Sequence, residues 1–111
     1  MHHSRINQLL EFLKEDPNDP FTIYALALEY EKTGELDTAG NYFEQLLKEH
    51  EDYLGTYYHA GKYYEKTGQI TEAKAAFNKG ILKARQQNNL KTASELQNAL
   101  NELLFENDED F

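Results

Sequence analysis

Residues 20–53 laid over residues 54–87 agree at nine positions without a gap, which makes an internal repeat of 34 residues. The identities are Thr22/Thr56, Tyr24/Tyr58, Tyr30/Tyr64, Glu31/Glu65, Lys32/Lys66, Thr33/Thr67, Gly34/Gly68, Ala39/Ala73 and Phe43/Phe77. Leu36/Ile70 and Leu47/Ile81 are conservative matches. The block YEKTG occurs twice, each time followed by an acidic or amide residue and a branched apolar one. A period of 34 with a glycine turn in each unit fits neither a leucine-rich repeat nor a heptad coiled coil. Two units are fewer than the three a stacked array usually needs, so flanking segments or a second copy of the chain must supply the missing burial.

Each unit reads as a helix, a turn and a second helix. In the first helices, Ile23, Leu26, Ala27 and Tyr30, and likewise Tyr57, Ala60, Gly61 and Tyr64, recur at helical spacing and define one buried stripe. Ala27 and Gly61 are small because two helices must approach closely there. Gly34 and Gly68 follow the last apolar residue, where a left-handed residue ends a helix at little cost. Lys32 and Lys66 fall in that last turn, against the negative end of the helix dipole. The second helices start near Leu36 and Ile70 and carry Ala39, Phe43, Leu46 and Leu47, then Ala73, Phe77 and Ile81.

The period and these spaced residues resemble the tetratricopeptide repeat family, in its small bacterial-type form. The family's Leu and small residue match Leu26 and Ala27, then Ala60 and Gly61; its Tyr matches Tyr30 and Tyr64; its Ala and Phe match Ala39 and Phe43, then Ala73 and Phe77. Ile23 and Tyr57 stand where the family has Trp, and Glu51 and Arg85 where it often has Pro. The resemblance implies an all-α fold, a short right-handed solenoid of antiparallel helix pairs.

The flanks extend the stack to about six helices in one domain spanning residues 1–111. Residues 4–15 place Ile6, Leu9, Leu10 and Leu13 on one face; shifted by 34, Leu9 falls on Phe43 and Leu13 on Leu47, so this is the second helix of a degenerate preceding repeat. Residues 89–105 carry Leu90, Ala93, Leu96, Leu100, Leu103 and Leu104 without the repeat signature, as a capping helix would. Residues 106–111 are an acidic tail, read as a disordered, solubilising end.

Composition limits the functional classes. A formal net charge of −9 opposes binding to nucleic acid or an anionic membrane and favours a basic partner. No stretch approaches the roughly 18 apolar residues of a membrane span. The first residues lack the apolar core of a signal peptide, so a cytoplasmic protein is expected. Without cysteine there is no disulfide framework and no thiolate ligand or nucleophile. No phosphate-cradling glycine loop, HExxH or calcium loop occurs, and His50 and His59 fall on different predicted helices. No catalytic residue, cofactor or metal is expected.

The expected function is to bind another protein. On the first helices, a stripe turned away from the buried one reads Phe21, Tyr24, Leu28, Glu31 and, one repeat on, Gly55, Tyr58, Lys62, Glu65. In the family this stripe lines the concave surface that contacts peptides. The repeated Tyr24 and Tyr58 supply rigid apolar area with a polar tip, as suits a binding face. The alternative for these side chains is packing against neighbouring helices. Only Lys62 is basic on the stripe, so the clamp by which co-chaperone members of the family hold a C-terminal carboxylate is not expected. The competing functional reading is self-association, a homodimer that buries the same apolar surface or the cap helix.

Overall fold

The computed structural model describes residues 2–107, and residues 2 and 3 by their backbone alone. The described residues form six α-helices: α1 (His2–Glu15), α2 (Pro20–Lys32), α3 (Leu36–Glu49), α4 (Gly55–Lys66), α5 (Ile70–Gln86) and α6 (Leu90–Glu106). They fall into two compact units, Met1–Thr56 and Tyr57–Phe111, with the division inside the first turn of α4.

The turns explain why the YEKTG block is repeated. Gly34 has φ 86° and Gly68 φ 79°, the left-handed region in which a side chain is strained. Around Gly34 the Glu35 amide donates to the Tyr30 carbonyl at 2.9 Å and the Gly34 amide to the Glu31 carbonyl at 3.1 Å. Around Gly68 the Gln69 and Gly68 amides repeat this onto Tyr64 and Glu65 at 2.8 and 3.1 Å. These are Schellman turns, which satisfy carbonyls that a helix end leaves unpaired. The side chains add to them. Thr33 Oγ1 lies 3.0 Å from the Tyr30 carbonyl and 3.2 Å from the Glu35 carboxylate. In the second copy Gln69 Nε2 donates to Thr67 Oγ1 at 2.8 Å, and that hydroxyl lies 3.0 Å from the Tyr63 carbonyl.

A third turn of the same kind joins α5 to α6. Asn88 takes the left-handed conformation at φ 58°, the Asn89 amide donates to Ala84 at 2.8 Å and the Asn88 amide to Arg85 at 3.0 Å. Asparagine is the residue that most readily replaces glycine there. Five residues after each left-handed residue stands a buried alanine, Ala39, Ala73 or Ala93.

In the first unit α2 packs on both α1 and α3. Ile6 and Leu9 of α1 meet Ala25 and Leu26 of α2, with Leu10, Leu13, Tyr30 and Tyr42 packed around them. The α1–α2 connection is fixed by Asp19, whose carboxylate accepts from the Thr22 amide at 3.3 Å and its hydroxyl at 2.6 Å, while Pro20 opens the helix where no amide is needed.

In the second unit two glycines permit close helix approach. A Cβ on Gly61 of α4 would overlap the Phe77 ring of α5. One on Gly80 of α5 would lie 2.5 Å from Tyr57 Cβ and 2.8 Å from Leu96 Cδ1, so the absent side chain lets α5 approach α4 and α6. Of the expected α6 stripe, Ala93, Leu96, Leu100 and Leu103 are buried and Leu104 is half-buried, but Leu90, the first residue of the helix, is 72% exposed.

Two boundaries differ from the sequence expectation. Helix α1 begins at His2 rather than residue 4. Helix α6 starts one residue later than expected, because Asn89 is its N-cap and accepts from the Thr92 amide at 3.1 Å. It also takes in Glu106 from the expected tail, and Asn107 caps it by donating its side-chain amide to the Leu103 carbonyl at 2.8 Å. The rest of the acidic tail, residues 108–111, lies outside the described residues.

Candidate functional site

The seven residues expected to form a binding stripe divide between the two units. In the first unit, Phe21, Tyr24, Leu28 and Glu31 sit on α2. Phe21 is 57% exposed, whereas Tyr24, Leu28 and Glu31 are half-buried. Tyr24 meets the ring of Tyr53 edge-on, with centroids 5.6 Å apart, and Gly55 leaves room for the pair. Burial, then the neighbouring Tyr53, raises the Tyr24 phenol above its ordinary value. Tyr53 is raised by burial and then by the Asp19 carboxylate. Tyr24 is therefore a half-buried residue packed against Tyr53.

In the second unit, Tyr58, Lys62 and Glu65 sit on α4. Tyr58 is 42% exposed and touches the ring of its neighbour His59 edge-on at 5.5 Å. Lys62 Nζ lies 3.4 Å from Glu65 Oε1, an oxygen withdrawn from solvent. The difference between the two tyrosines has a source in the repeat register: the position one repeat after Tyr53 is Gln87, so the aromatic partner that covers Tyr24 has no counterpart at Tyr58.

The structure adds residues that the stripe on α4 did not reveal. Tyr58 and Lys62 wall an open groove of about 420 Å³, and Glu95, Asn98, Ala99 and Glu102 of α6 form its other wall. Residues 95, 98 and 102 recur at helical spacing beside the apolar stripe of Ala93, Leu96, Leu100 and Leu103, but that spacing does not say that α4 faces them. Ala99 is buried at the floor, and Glu95, Asn98 and Glu102 are exposed. Such a groove can hold a chain segment by aromatic contact, an amide and carboxylates.

Among the described residues, no group of three or more histidine and carboxylate side chains is placed to hold a metal ion. None of the described helices is long and apolar enough to cross a membrane.

Comparison with known proteins agrees with this architecture. The tetratricopeptide repeat matches residues 32–99. The solution structure of a tetratricopeptide repeat domain protein from Salinibacter ruber is 43% identical, with a TM-score of 0.75 over 79% of this chain and 89% of that one. The crystal structure of that protein gives 42% identity and a TM-score of 0.72, covering 78% of this chain and 96% of that one. A protein from Bordetella parapertussis shares the fold at 21% identity, with a TM-score of 0.76 over 91% of this chain and 88% of that one. No curated protein matches the sequence. The six helices thus form a helical solenoid of the kind whose members generally mediate protein–protein interaction and are generally non-catalytic scaffolds. From the repeat match and the identity to the Salinibacter protein, the chain belongs to the tetratricopeptide repeat family.

Proposed function

We propose that this chain works in the cytoplasm as a single scaffold or adaptor domain that binds a peptide or a partner's surface through the outward stripe of α2 and α4. The observation that carries this reading is Tyr58, a large aromatic side chain 42% exposed at the edge of an open groove. Exposed tyrosine with rigid backing contributes contact area at little entropic cost, as at the centres of protein interfaces. Phe21, 57% exposed on α2, and half-buried Leu28 supply further apolar contact. The net charge of −9 favours protein partners with basic surfaces over nucleic acid or anionic lipid.

The test is a titration of the ¹⁵N-labelled protein with a peptide panel, followed by amide shifts. The expected result is shifts concentrated on α2 and α4, and binding weakened about tenfold by Tyr58→Ala with helicity unchanged. Unchanged affinity in Tyr58→Ala sinks the assignment.

A second reading is supported by α6, where Leu90 is 72% and Phe105 74% exposed. Such apolar groups suit self-association. Light scattering over a hundredfold concentration range separates the readings: a dimer that resists dilution and is lost in Phe105→Ser assigns this surface to assembly.

A further inference from the structure

We infer that the groove between α4 and α6 docks an extended basic segment of a partner protein, one presenting two Lys or Arg side chains three residues apart. The inference rests on the reading of α4 as an interaction surface and names the chemistry of its occupant.

The charge of the groove is unbalanced. Lys62, its one cation, is held 3.4 Å from Glu65 Oε1, which has no hydrogen-bond partner of its own. Glu95 and Glu102, on the facing wall, are exposed and take part in none of the ion pairs Arg5–Glu29, Glu11–Lys14, Glu29–Lys32 or Lys62–Glu65. Among the described residues, Glu95 and Glu102 thus line the groove outside these ion pairs, two carboxylates against one lysine already paired with Glu65, on a chain of net charge −9. An acidic groove concentrates cationic groups, and steers them on approach.

Spacing selects the conformation of the guest. Glu95 and Glu102 are seven residues apart on α6, or about 10 Å at a rise of ~1.5 Å per residue. A polyproline II segment rises ~3.1 Å per residue and returns to the same face every third residue, so its i and i+3 side chains lie about 9 Å apart on one side. Long Lys or Arg stems absorb the difference. Asn98 lies between the two carboxylates on the same wall and offers an amide to the guest's backbone, which in this conformation makes no internal hydrogen bonds. The exposed Tyr58 ring on the opposite wall suits the apolar stem or the cationic head of a basic side chain.

The probe is a fluorescein-labelled, proline-rich decapeptide with lysines at i and i+3, compared with its Glu/Glu analogue by fluorescence anisotropy at 50 mM salt. The expected result is at least tenfold tighter binding of the lysine peptide, weakening as salt rises. Glu95→Gln and Glu102→Gln are expected to weaken it about threefold each and about tenfold together, whereas Lys62→Gln is expected to tighten it about twofold. Equal affinity for the two peptides, or no effect of the double Gln variant, overturns the inference. An acidic peptide that binds and is lost in Tyr58→Ala overturns it too, while leaving the interaction reading of α4 intact. Lysine-peptide binding abolished by the double Gln variant but untouched by Tyr58→Ala sustains the carboxylate pair and overturns Tyr58 as the centre of the interaction surface.

Discussion

The two units place the same repeat positions in different surroundings. In the first, Tyr24 leans on Tyr53, and Tyr30 stacks on Tyr42 with centroids 5.8 Å apart. In the second, Tyr58 stands open over a groove while Gly61 and Gly80 bring helices together at distances that exclude a methyl group. Ala27 and Gly61 occupy one repeat position; at Gly61 the Phe77 ring takes the space that the Cβ of an alanine would need. The repeat thus specifies backbone turns and the buried stripe, while the residues outside that stripe decide whether an aromatic side chain is structural or free for a partner.

Four measurements test the contrast between the units, each stability change being read from urea denaturation followed by far-UV circular dichroism. The largest effect is expected from Gly61→Ala, at about 2 kcal/mol of destabilisation through overlap with Phe77. Partial recovery in Gly61→Ala/Phe77→Leu would identify the ring as the cause, and a neutral Gly61→Ala would remove the distinction between the units. Next, Tyr24→Ala is expected to cost about 1.5 kcal/mol and Tyr58→Ala under about 0.5 kcal/mol, since Tyr24 is half-buried against Tyr53 whereas Tyr58 is 42% exposed and meets the ring of its chain neighbour His59. The reverse order would show that Tyr58 is the structural member.

Smaller effects come from the turns. Gly34→Ala and Gly68→Ala are each expected to cost about 1 kcal/mol, because a Cβ is strained at positive φ. Asn88→Gly is expected to change stability by no more than a few tenths of a kcal/mol. Last is alkaline pH. Tyr24, Tyr42 and Tyr53 have phenols raised above 10.0, each chiefly by burial. Their raised values favour the neutral form in the fold, so this contribution is full below the unfolded value near 10 and is lost as pH rises through the folded values. Absorbance at 295 nm recorded with helicity should show these phenols ionising late, and loss of helicity should follow; early ionisation with intact helices would contradict their burial.

Much of the fold was legible because its determinants are local and occur twice. Gly34, Gly68, Thr33 and Thr67 announce their turns by type and spacing, and the stripe through Leu26 and Ala60 announces the buried face. The α5–α6 turn was harder to read because asparagine stands in for glycine and the interval from Gly68 to Asn88 is 20 residues rather than 34. Glu102 occupies the position one repeat after Gly68, and without the glycine stop α6 continues to Glu106. Of the site, the stripe on α4 could be read from helical spacing. Neither the cover of Tyr24 by Tyr53 nor the wall formed by Glu95, Asn98 and Glu102 could, since both depend on residues distant in sequence meeting in space.

The three Schellman turns also bear on the order in which the chain folds. Their defining backbone bonds span at most five residues: Glu35 to Tyr30, Gln69 to Tyr64 and Asn89 to Ala84. Bonds of such short span close small loops, so little chain entropy opposes their formation before distant segments have met. Each turn is therefore a separate starting point from which two helices can zip, and no strand pairing across the sequence has to be awaited. A chain of this kind has several routes to its native state, and a lesion that disables one turn leaves the other two to begin the work.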